Sequence, residues 1–354
     1  MIIQVITEPV AGGAEALVCE THRRYLARGV ASEAVFFRSG GRRLEQGEFA
    51  FETPLKSPVN IWKLRRFIKS RLGGNEPVIV HAHLTWPFIY VALASLFLNV
   101  RLFYTEHSTH NKRRKHKFFR WLDRLCYARY DRIICISQGV YQALARWVGP
   151  RLTSKLVVVP NGAKLYPLVE RAAPANRKLS LVSVGSLQAR KNFSTAIGAV
   201  ALARECVAEY VIVGEGPERA ALERLIAEHD LQSVVRLVGW SDVVNDYLVP
   251  ADVQLIPSLW EGFGLVAVEG LSTGLPVIAS DVDGLREVLA DTGESVSLVS
   301  DSRSEQAWAR AIMAMSHRLQ PDNISAIATS SRSRAERFSL DRMVERYLAE
   351  YAGL

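Results

Sequence analysis

Short β-rich apolar runs alternate with helical patterns along the whole chain, and this alternation is the strongest constraint on its fold. Strands are expected over 3–6, 78–81, 102–105, 132–136 and 155–159. After Pro160-Asn161-Gly162 the alternation restarts, with strands expected over 179–184, 210–213, 234–237, 253–256 and 277–279. Intervening helices are expected over 15–28, 218–229 and 285–289. Strand–helix alternation of this kind implies parallel sheets. With 354 residues the chain can form two domains, each with its own core. The best boundary is the polar segment 162–178, which contains Pro167 and Pro174. Each half then reads as a doubly wound α/β domain with ligands at the C-terminal strand ends. A site shared by two such domains would lie in a cleft between them.

Composition removes several classes. Cys19, Cys126, Cys135 and Cys206 are scattered, without a CxxC pair or a His/Cys cluster, so neither a zinc site nor a disulfide framework is expected. The start, Met1-Ile2-Ile3-Gln4-Val5-Ile6, lacks the basic region of a signal peptide and reads as a first strand. The longest uncharged apolar run, 84–98, is short for a membrane span and reads as a buried helix.

The net charge of +8 is unevenly spread. Residues 1–170 hold 26 Lys/Arg and 12 Asp/Glu, or +14; residues 171–354 hold 18 and 24, or −6. The densest basic run contains Lys112, Arg113, Arg114 and Lys115, followed by Phe118, Phe119 and Trp121. It reads either as a solvated loop or as a contact with an anionic membrane surface or lipid-linked phosphate, where each cation adds about 1 kcal/mol. No nucleic-acid motif accompanies it, so nucleic acid is not an expected partner.

The residues with the clearest chemistry lie in Pro257-Ser258-Leu259-Trp260-Glu261-Gly262-Phe263-Gly264-Leu265-Val266-Ala267-Val268-Glu269. A strand runs into this Gly/aromatic turn, and a helix over 265–272 leaves it. Leu265, Val266, Ala267, Val268 and Leu271 cover nearly every direction around that helix, so Glu269 lies on no polar face. A buried carboxylate is costly unless something bonds to it. A vicinal diol, as in a sugar or ribose, can donate two O–H bonds to one carboxylate. Gly12-Gly13-Ala14-Glu15 follows the first strand and opens a helix, a place where backbone N–H groups can meet an anion. It is not GxGxxG, which disfavours a nicotinamide cofactor. His81, His83 and His107 stand at neighbouring strand ends, where a sugar hydroxyl or phosphate is the expected contact and a metal a minor alternative. Gly185-Ser186-Leu187 with Arg190-Lys191-Asn192 repeats the strand-end pattern in the second half, with cations suited to a diphosphate. Val213-Gly214-Glu215-Gly216-Pro217 closes another strand.

These residues resemble family 4 of the retaining glycosyltransferases, whose GT-B fold has two facing Rossmann-like domains. The second half carries the resemblance most closely, through Pro160-Asn161-Gly162, Gly185 with Lys191, Val213 to Pro217, Gly239, the Glu-x7-Glu block from Pro257 to Glu269, and Gly274-Leu275-Pro276 through Gly284 and Glu287. The first half matches more loosely, through Gly12-Gly13, His81-Ala82-His83 and Thr105-Glu106-His107. The resemblance implies an acceptor-binding domain over 1–163, a nucleotide-sugar domain over 164–337, and a helix from 338 to 354 returning to the first.

It also implies roles. Glu261 would hold donor-sugar hydroxyls and Glu269 the ribose diol. Lys191 would stabilise the leaving diphosphate, assisted by the N–H groups of Phe263, Gly264 and Leu265. Glu215 and Gly216 would lie near the base, Gly13 would approach the diphosphate, and His107 would contact the transferred sugar. Many members carry Arg where this chain has Ser186, which shifts phosphate charge onto Arg190 or Lys191. Many carry an acid after Pro-Asn-Gly-Val, where this chain has Ala163 and Lys164. The implied reaction moves a hexose-type sugar from a UDP- or GDP-sugar to a hydroxyl of a polyprenyl-diphosphate-linked glycan, without a metal, at the inner face of the cell membrane. The alternatives are a sugar-nucleotide epimerase on the same fold and a non-catalytic module that binds sugar nucleotides or glycans.

Overall fold

The computed structural model describes residues 1–9, 12–74, 77–109, 114, 117–174 and 178–353, with the side chains of 117–119 not described. The chain divides into two compact units, Met1–Gly162 with Leu340–Leu354, and Ala163–Ser339.

The first unit runs β1 (Ile2–Ile6), α1 (Gly13–Ala27), β2 (Ser32–Phe36), β3 (Glu48–Ala50), α2 (Val59–Lys69), β4 (Ile79–His83), α3 (Thr85–Ala94), β5 (Arg101–Glu106), α4 (Lys117–Arg129), β6 (Arg132–Cys135), α5 (Gln138–Val148), α6 (Pro150–Thr153) and β7 (Leu156–Val158). Its sheet has the order β3-β2-β1-β4-β5-β6-β7, every pair parallel. The second unit runs β8 (Leu179–Val184), α7 (Phe193–Leu202), β9 (Val207–Val213), α8 (Arg219–Glu228), β10 (Val235–Gly239), α9 (Asn245–Leu248), β11 (Val253–Ile256), α10 (Leu265–Ser272), β12 (Val277–Ser280), α11 (Asp283–Leu289), β13 (Val296–Val299), α12 (Glu305–Arg318) and α13 (Ile324–Glu336). Its sheet has the order β10-β9-β8-β11-β12-β13, again all parallel. In both sheets the first strand is central and the chain order reverses beside it. That reversal opens a crevice at the C-terminal strand ends.

The last helix, α14 (Leu340–Ala352), belongs to the first unit. Leu340, Met343, Val344, Tyr347 and Tyr351 recur at helical spacing and are all buried, in one cluster with Ile2, Ile79, Phe103 and Ile134. Arg24 of α1 and Arg28 at its C-terminal cap pair with Asp341 at 3.1 and 3.0 Å. His81 links this helix to the sheet: its Nδ1 lies 2.6 Å from the Tyr351 hydroxyl and its Nε2 lies 2.7 Å from Thr105 Oγ1.

Three strands lie where none was expected. β2 opens on Ser32 and Glu33, β3 has three residues, and β13 is a four-residue Val-Ser-Leu-Val run at a sheet edge. Parallel pairing to β1, β2 and β12 stabilises runs too short or too polar to be read alone. The apolar run 84–98 is helical only to Ala94, with Phe88 and Val91 fully buried. Among the described residues no helix is long and apolar enough to cross a membrane.

Candidate active site

In the second unit the ends of β8, β9 and β10 are drawn together by backbone. Gly185 N–H donates to Val213 O at 2.9 Å, and Gly214 N–H donates to Gly239 O at 2.7 Å. A Cβ on Gly214 would stand 1.9 Å from Gly185 O, and one on Gly216 would stand 2.4 Å from Leu187 O. Glycine is required because the two turns touch through their main chains.

A short 3-10 turn, Ala189–Lys191, follows β8, and Asn192 adopts a left-handed conformation (φ 56) to start α7. This places Lys191 inward, 9% exposed, with its ammonium on the carboxylate of Glu261. Ser258 Oγ donates to the same Glu261 oxygen at 2.9 Å. Arg190 approaches the other oxygen at 3.9 Å, and its guanidinium lies 5.0 Å from the Trp260 ring centroid. Leu259 N–H donates to Arg190 O at 2.8 Å, tying the two loops together. Lys191 and Glu261, expected in separate roles, are thus partners. Two poorly hydrated charges require that arrangement.

Gly264 closes the turn in the left-handed region (φ 97), where a Cβ would also lie 2.5 Å from Leu285 Cδ2. A Cβ on Gly284 would lie 2.5 Å from Glu261 O, so α11 packs directly on the Glu261–Phe263 backbone. No side chain caps α10; Ala267 N–H turns back to Gly264 O at 2.9 Å, which leaves the N–H groups of Leu265 and Val266 to an incoming anion.

Glu269, one and a half turns into α10, is half-buried. Loss of hydration lifts its carboxyl to about 7, against the lowering influence of Lys164. Glu269 in turn contributes to holding the Tyr166 hydroxyl up at about 12, behind the larger effect of burial. Lys164 Nζ lies 5.7 Å from the Tyr166 ring centroid. Lys164 and Tyr166 were not among the expected site residues. Their sequence signal was only the departure after Pro160-Asn161-Gly162. Glu215 is exposed and paired with Arg219 at 2.6 Å. Ser186 contributes its backbone to the turn at the end of β8.

In the first unit, Gly13 begins α1 without a side-chain cap. His83 Nδ1 lies 3.2 Å from His107 Nε2, while His83 Nε2 and His107 Nδ1 are buried without partners. Burial depresses all three histidines, His81 to about 3, His107 to about 4 and His83 well below its ordinary value. They are therefore neutral at pH 7. His81 spends both nitrogens on Tyr351 and Thr105, so the three do not converge on a common point. Among the described residues no group of three or more His, Cys, Asp or Glu could hold a metal ion.

The basic run requires a correction. Arg114 is not a surface cation: its side chain is 10% exposed and pairs with Glu106, which also accepts from the Tyr127 hydroxyl at 3.0 Å. Trp121 is 65% exposed on α4. Lys112, Arg113 and Lys115 lie outside the described residues.

Comparison with known proteins places this geometry. The model for glycosyltransferase family 4 matches residues 11–165, and that for glycosyl transferases group 1 matches 169–326. A glycogen synthase of Mycobacterium tuberculosis (strain H37Rv) is 30% identical over 63% of this chain and 56% of its own length. The lipopolysaccharide core biosynthesis glycosyltransferase LpsD of Rhizobium meliloti is 33% identical over 52% and 53%. The UDP-Gal:alpha-D-GlcNAc-diphosphoundecaprenol alpha-1,3-galactosyltransferase of Escherichia coli is 28% identical over 65% and 62%. The chain thus spans between about half and two thirds of the length of these relatives.

Among solved structures, a glycosyltransferase of Rickettsia africae superposes with a TM-score of 0.83 at 19% identity, covering 99% of this chain and 97% of that one. Anabaena Alr3699/HepE, solved in complex with UDP and glucose, gives 0.80 at 18%, covering 100% and 99%. These likenesses establish the GT-B fold. With one model matched over 11–165 and the other over 169–326, the chain belongs to the group 1, family 4 glycosyltransferases.

Proposed function

We propose that this protein transfers a hexose-type sugar from a nucleoside diphosphate sugar to a hydroxyl of a lipid-linked glycan, with retention at the anomeric carbon. The observation that carries the proposal is Glu269. It is a half-buried carboxylate with a raised pKa on a helix whose N-terminus is uncapped. No donor among the described residues bonds to it. A ribose diol supplies two such donors, and the diphosphate beside it meets the free N–H groups of α10.

Lys191 and Arg190 stand at Glu261, to which we assign the hydroxyls of the donor sugar. As the bond from the anomeric carbon to the diphosphate breaks, negative charge grows on the departing phosphate, and the acceptor hydroxyl bonds to that carbon while its proton passes to the phosphate oxygen. Fixed cations and backbone dipoles aimed at that charge lower the barrier. His107, neutral at working pH, is assigned to the transferred sugar.

UDP is the favoured donor base, since the Anabaena structure holds UDP and the Escherichia coli relative is named for UDP-Gal. That relative's name also specifies a diphosphoundecaprenol acceptor, which supports a polyprenyl-diphosphate-linked acceptor for this chain and peripheral attachment at the inner membrane face in surface-polysaccharide assembly. Thermal shift with UDP and GDP side by side tests the donor reading. A ligand at ~100 times its dissociation constant adds about 2.7 kcal/mol. Stabilisation by UDP that is lost in Glu269→Ala is the expected result. No response to either nucleotide would remove the donor site. Donor consumed without acceptor, and returned as an isomer, would mark an epimerase instead.

A further inference from the structure

We propose that the α2 face and the end of α3 form a docking surface for an anionic lipid bilayer, which deepens, and rests on, the peripheral-membrane part of the proposed function. Phe97 is the first indication. It is 96% exposed and held in the left-handed region (φ 57), a strained conformation for a residue with a Cβ. A large aromatic ring is here presented to solvent against both its hydration and its backbone preference. Such outliers call for a function. Leu93, one helical turn before, is 42% exposed.

Helix α2 lies beside this tip. Arg65 on α2 donates to the carbonyls of Ala94 and Leu96 at 2.9 and 2.7 Å. The outward stripe of α2 is Val59, Trp62, Arg66 and Lys69, spaced three or four residues apart and all exposed, with Trp62 at 60%. The Arg66 guanidinium sits 5.7 Å from the Trp62 ring centroid. Aromatic rings backed by cations suit the headgroup layer of a membrane.

Charge selects the occupant. Residues 53–105 contain seven Lys/Arg and one acid, Glu76. Glu52, just before this segment, accepts from Ser39 N–H, and Glu33 is paired with Arg71. An anionic bilayer is attracted to such a surface and a cationic or neutral one is not. The α2 and α3 surface thus carries the contact without Arg114, whose guanidinium is turned inward onto Glu106.

The test is cosedimentation of the full chain with phosphatidylcholine vesicles, with and without phosphatidylglycerol, at low salt. The wild type is expected to pellet only with the anionic vesicles. Phe97→Ser and Trp62→Ser are each expected to lower partitioning about tenfold or more, the scale of one buried aromatic side chain. Both positions are exposed, so melting temperature and the UDP-induced shift should be unchanged. Trp121→Ser should partition as wild type. Undiminished pelleting of the Phe97→Ser/Trp62→Ser double variant overturns the proposal. So does equal pelleting with neutral vesicles, or a wild-type dimer in size-exclusion chromatography that Phe97→Ser dissociates. Loss of the UDP shift in the wild type removes the donor reading and leaves the vesicle result standing.

Discussion

The ammonium of Lys191 rests on the carboxylate of Glu261, with Ser258 Oγ donating to the same oxygen at 2.9 Å. Both side chains are 11% exposed, so each charge depends on the other for what water would otherwise supply. The pair stores a cation at the place where the proposed reaction develops negative charge.

Lys191→Ala is therefore expected to do two separable things. Turnover should fall at least ~100-fold, the scale of losing one fixed contact to transition-state charge. Stability should fall by about 1–3 kcal/mol, because Glu261 loses its ammonium partner and keeps only the Ser258 hydroxyl and the Arg190 guanidinium at 3.9 Å. Lys191→Met combined with Glu261→Gln should recover most of that stability and none of the turnover. Denaturant titration and initial rates on the same preparations distinguish the effects. Near-normal turnover in Lys191→Ala would defeat the assigned role.

Glu269 gives a prediction of opposite sign. Its carboxyl is held at about 7 in the folded chain, above its ordinary 4.5. Between those values the folded state holds the proton that the unfolded state has released. The contribution of Glu269 to stability thus falls as pH rises from about 4.5 to 7 and stays unfavourable above. Glu269→Gln should stabilise the nucleotide-free protein at pH 8 by about 1–2 kcal/mol, allowing for screening of a half-exposed group. The same change should weaken UDP about 10- to 100-fold, since it removes the charged acceptor of two hydroxyl bonds. Calorimetry with UDP at pH 6 and 8 checks the linkage, with wild-type affinity rising with pH and the variant flat.

How much of this was legible in the sequence depends on the range of each interaction. The isolation of Glu269 followed from helix geometry alone, because Leu265, Val266, Ala267, Val268 and Leu271 all lie within eight residues of chain. The Lys191–Glu261 partnership was not legible. Seventy positions separate the two, and the pairing of β8 with β11 and the loop contact from Leu259 N–H to Arg190 O bring them together. Lys164 was noticed as a departure, but its proximity to Glu269 needs the tertiary fold. Arg114 read as one cation in a surface run until Glu106 and Tyr127 gave it an interior partner. The strands that escaped, such as Glu48–Ala50, owe their existence to a neighbouring strand rather than to their own composition.

The contact between Gly185 and Gly214 sets a steric limit. Gly214→Ala would bring a methyl group to 1.9 Å from Gly185 O, which no side-chain adjustment can relieve. The turns after β8 and β9 would have to separate, and Ser186 and Lys191 would move with them. We expect a loss of about 1–3 kcal/mol from overpacking and loss of the UDP-induced thermal shift. Gly293→Ala is the control for backbone strain. It has a positive φ of 56 but nothing within 4 Å of its added Cβ, so its cost should come from conformation alone and leave UDP binding intact.

Acid should unfold the first unit through its histidines. His81 and His107 are held at about 3 and about 4, and His83 well below its ordinary value, all by burial. Below about pH 6.5 the unfolded chain takes up protons on these imidazoles that the folded chain refuses, so stability falls as pH is lowered. With three groups the slope approaches about 4 kcal/mol per pH unit between pH 6 and 4. Burial also raises the carboxyls of Glu15, Asp252 and Glu269, which work against this trend and reduce the net slope. His81→Gln should reduce the slope by about a third while costing stability at neutral pH, because Tyr351 and Thr105 lose their shared partner. Tyr351→Phe should cost a comparable amount, about 1–3 kcal/mol for an orphaned His81 Nδ1, and leave the slope unchanged. Urea titrations at half-unit steps from pH 4 to 7 separate the two variants. An unchanged slope in His81→Gln would mean that the imidazole is already protonated within the fold, and the neutral network joining α14 to β4 and β5 would have to be abandoned.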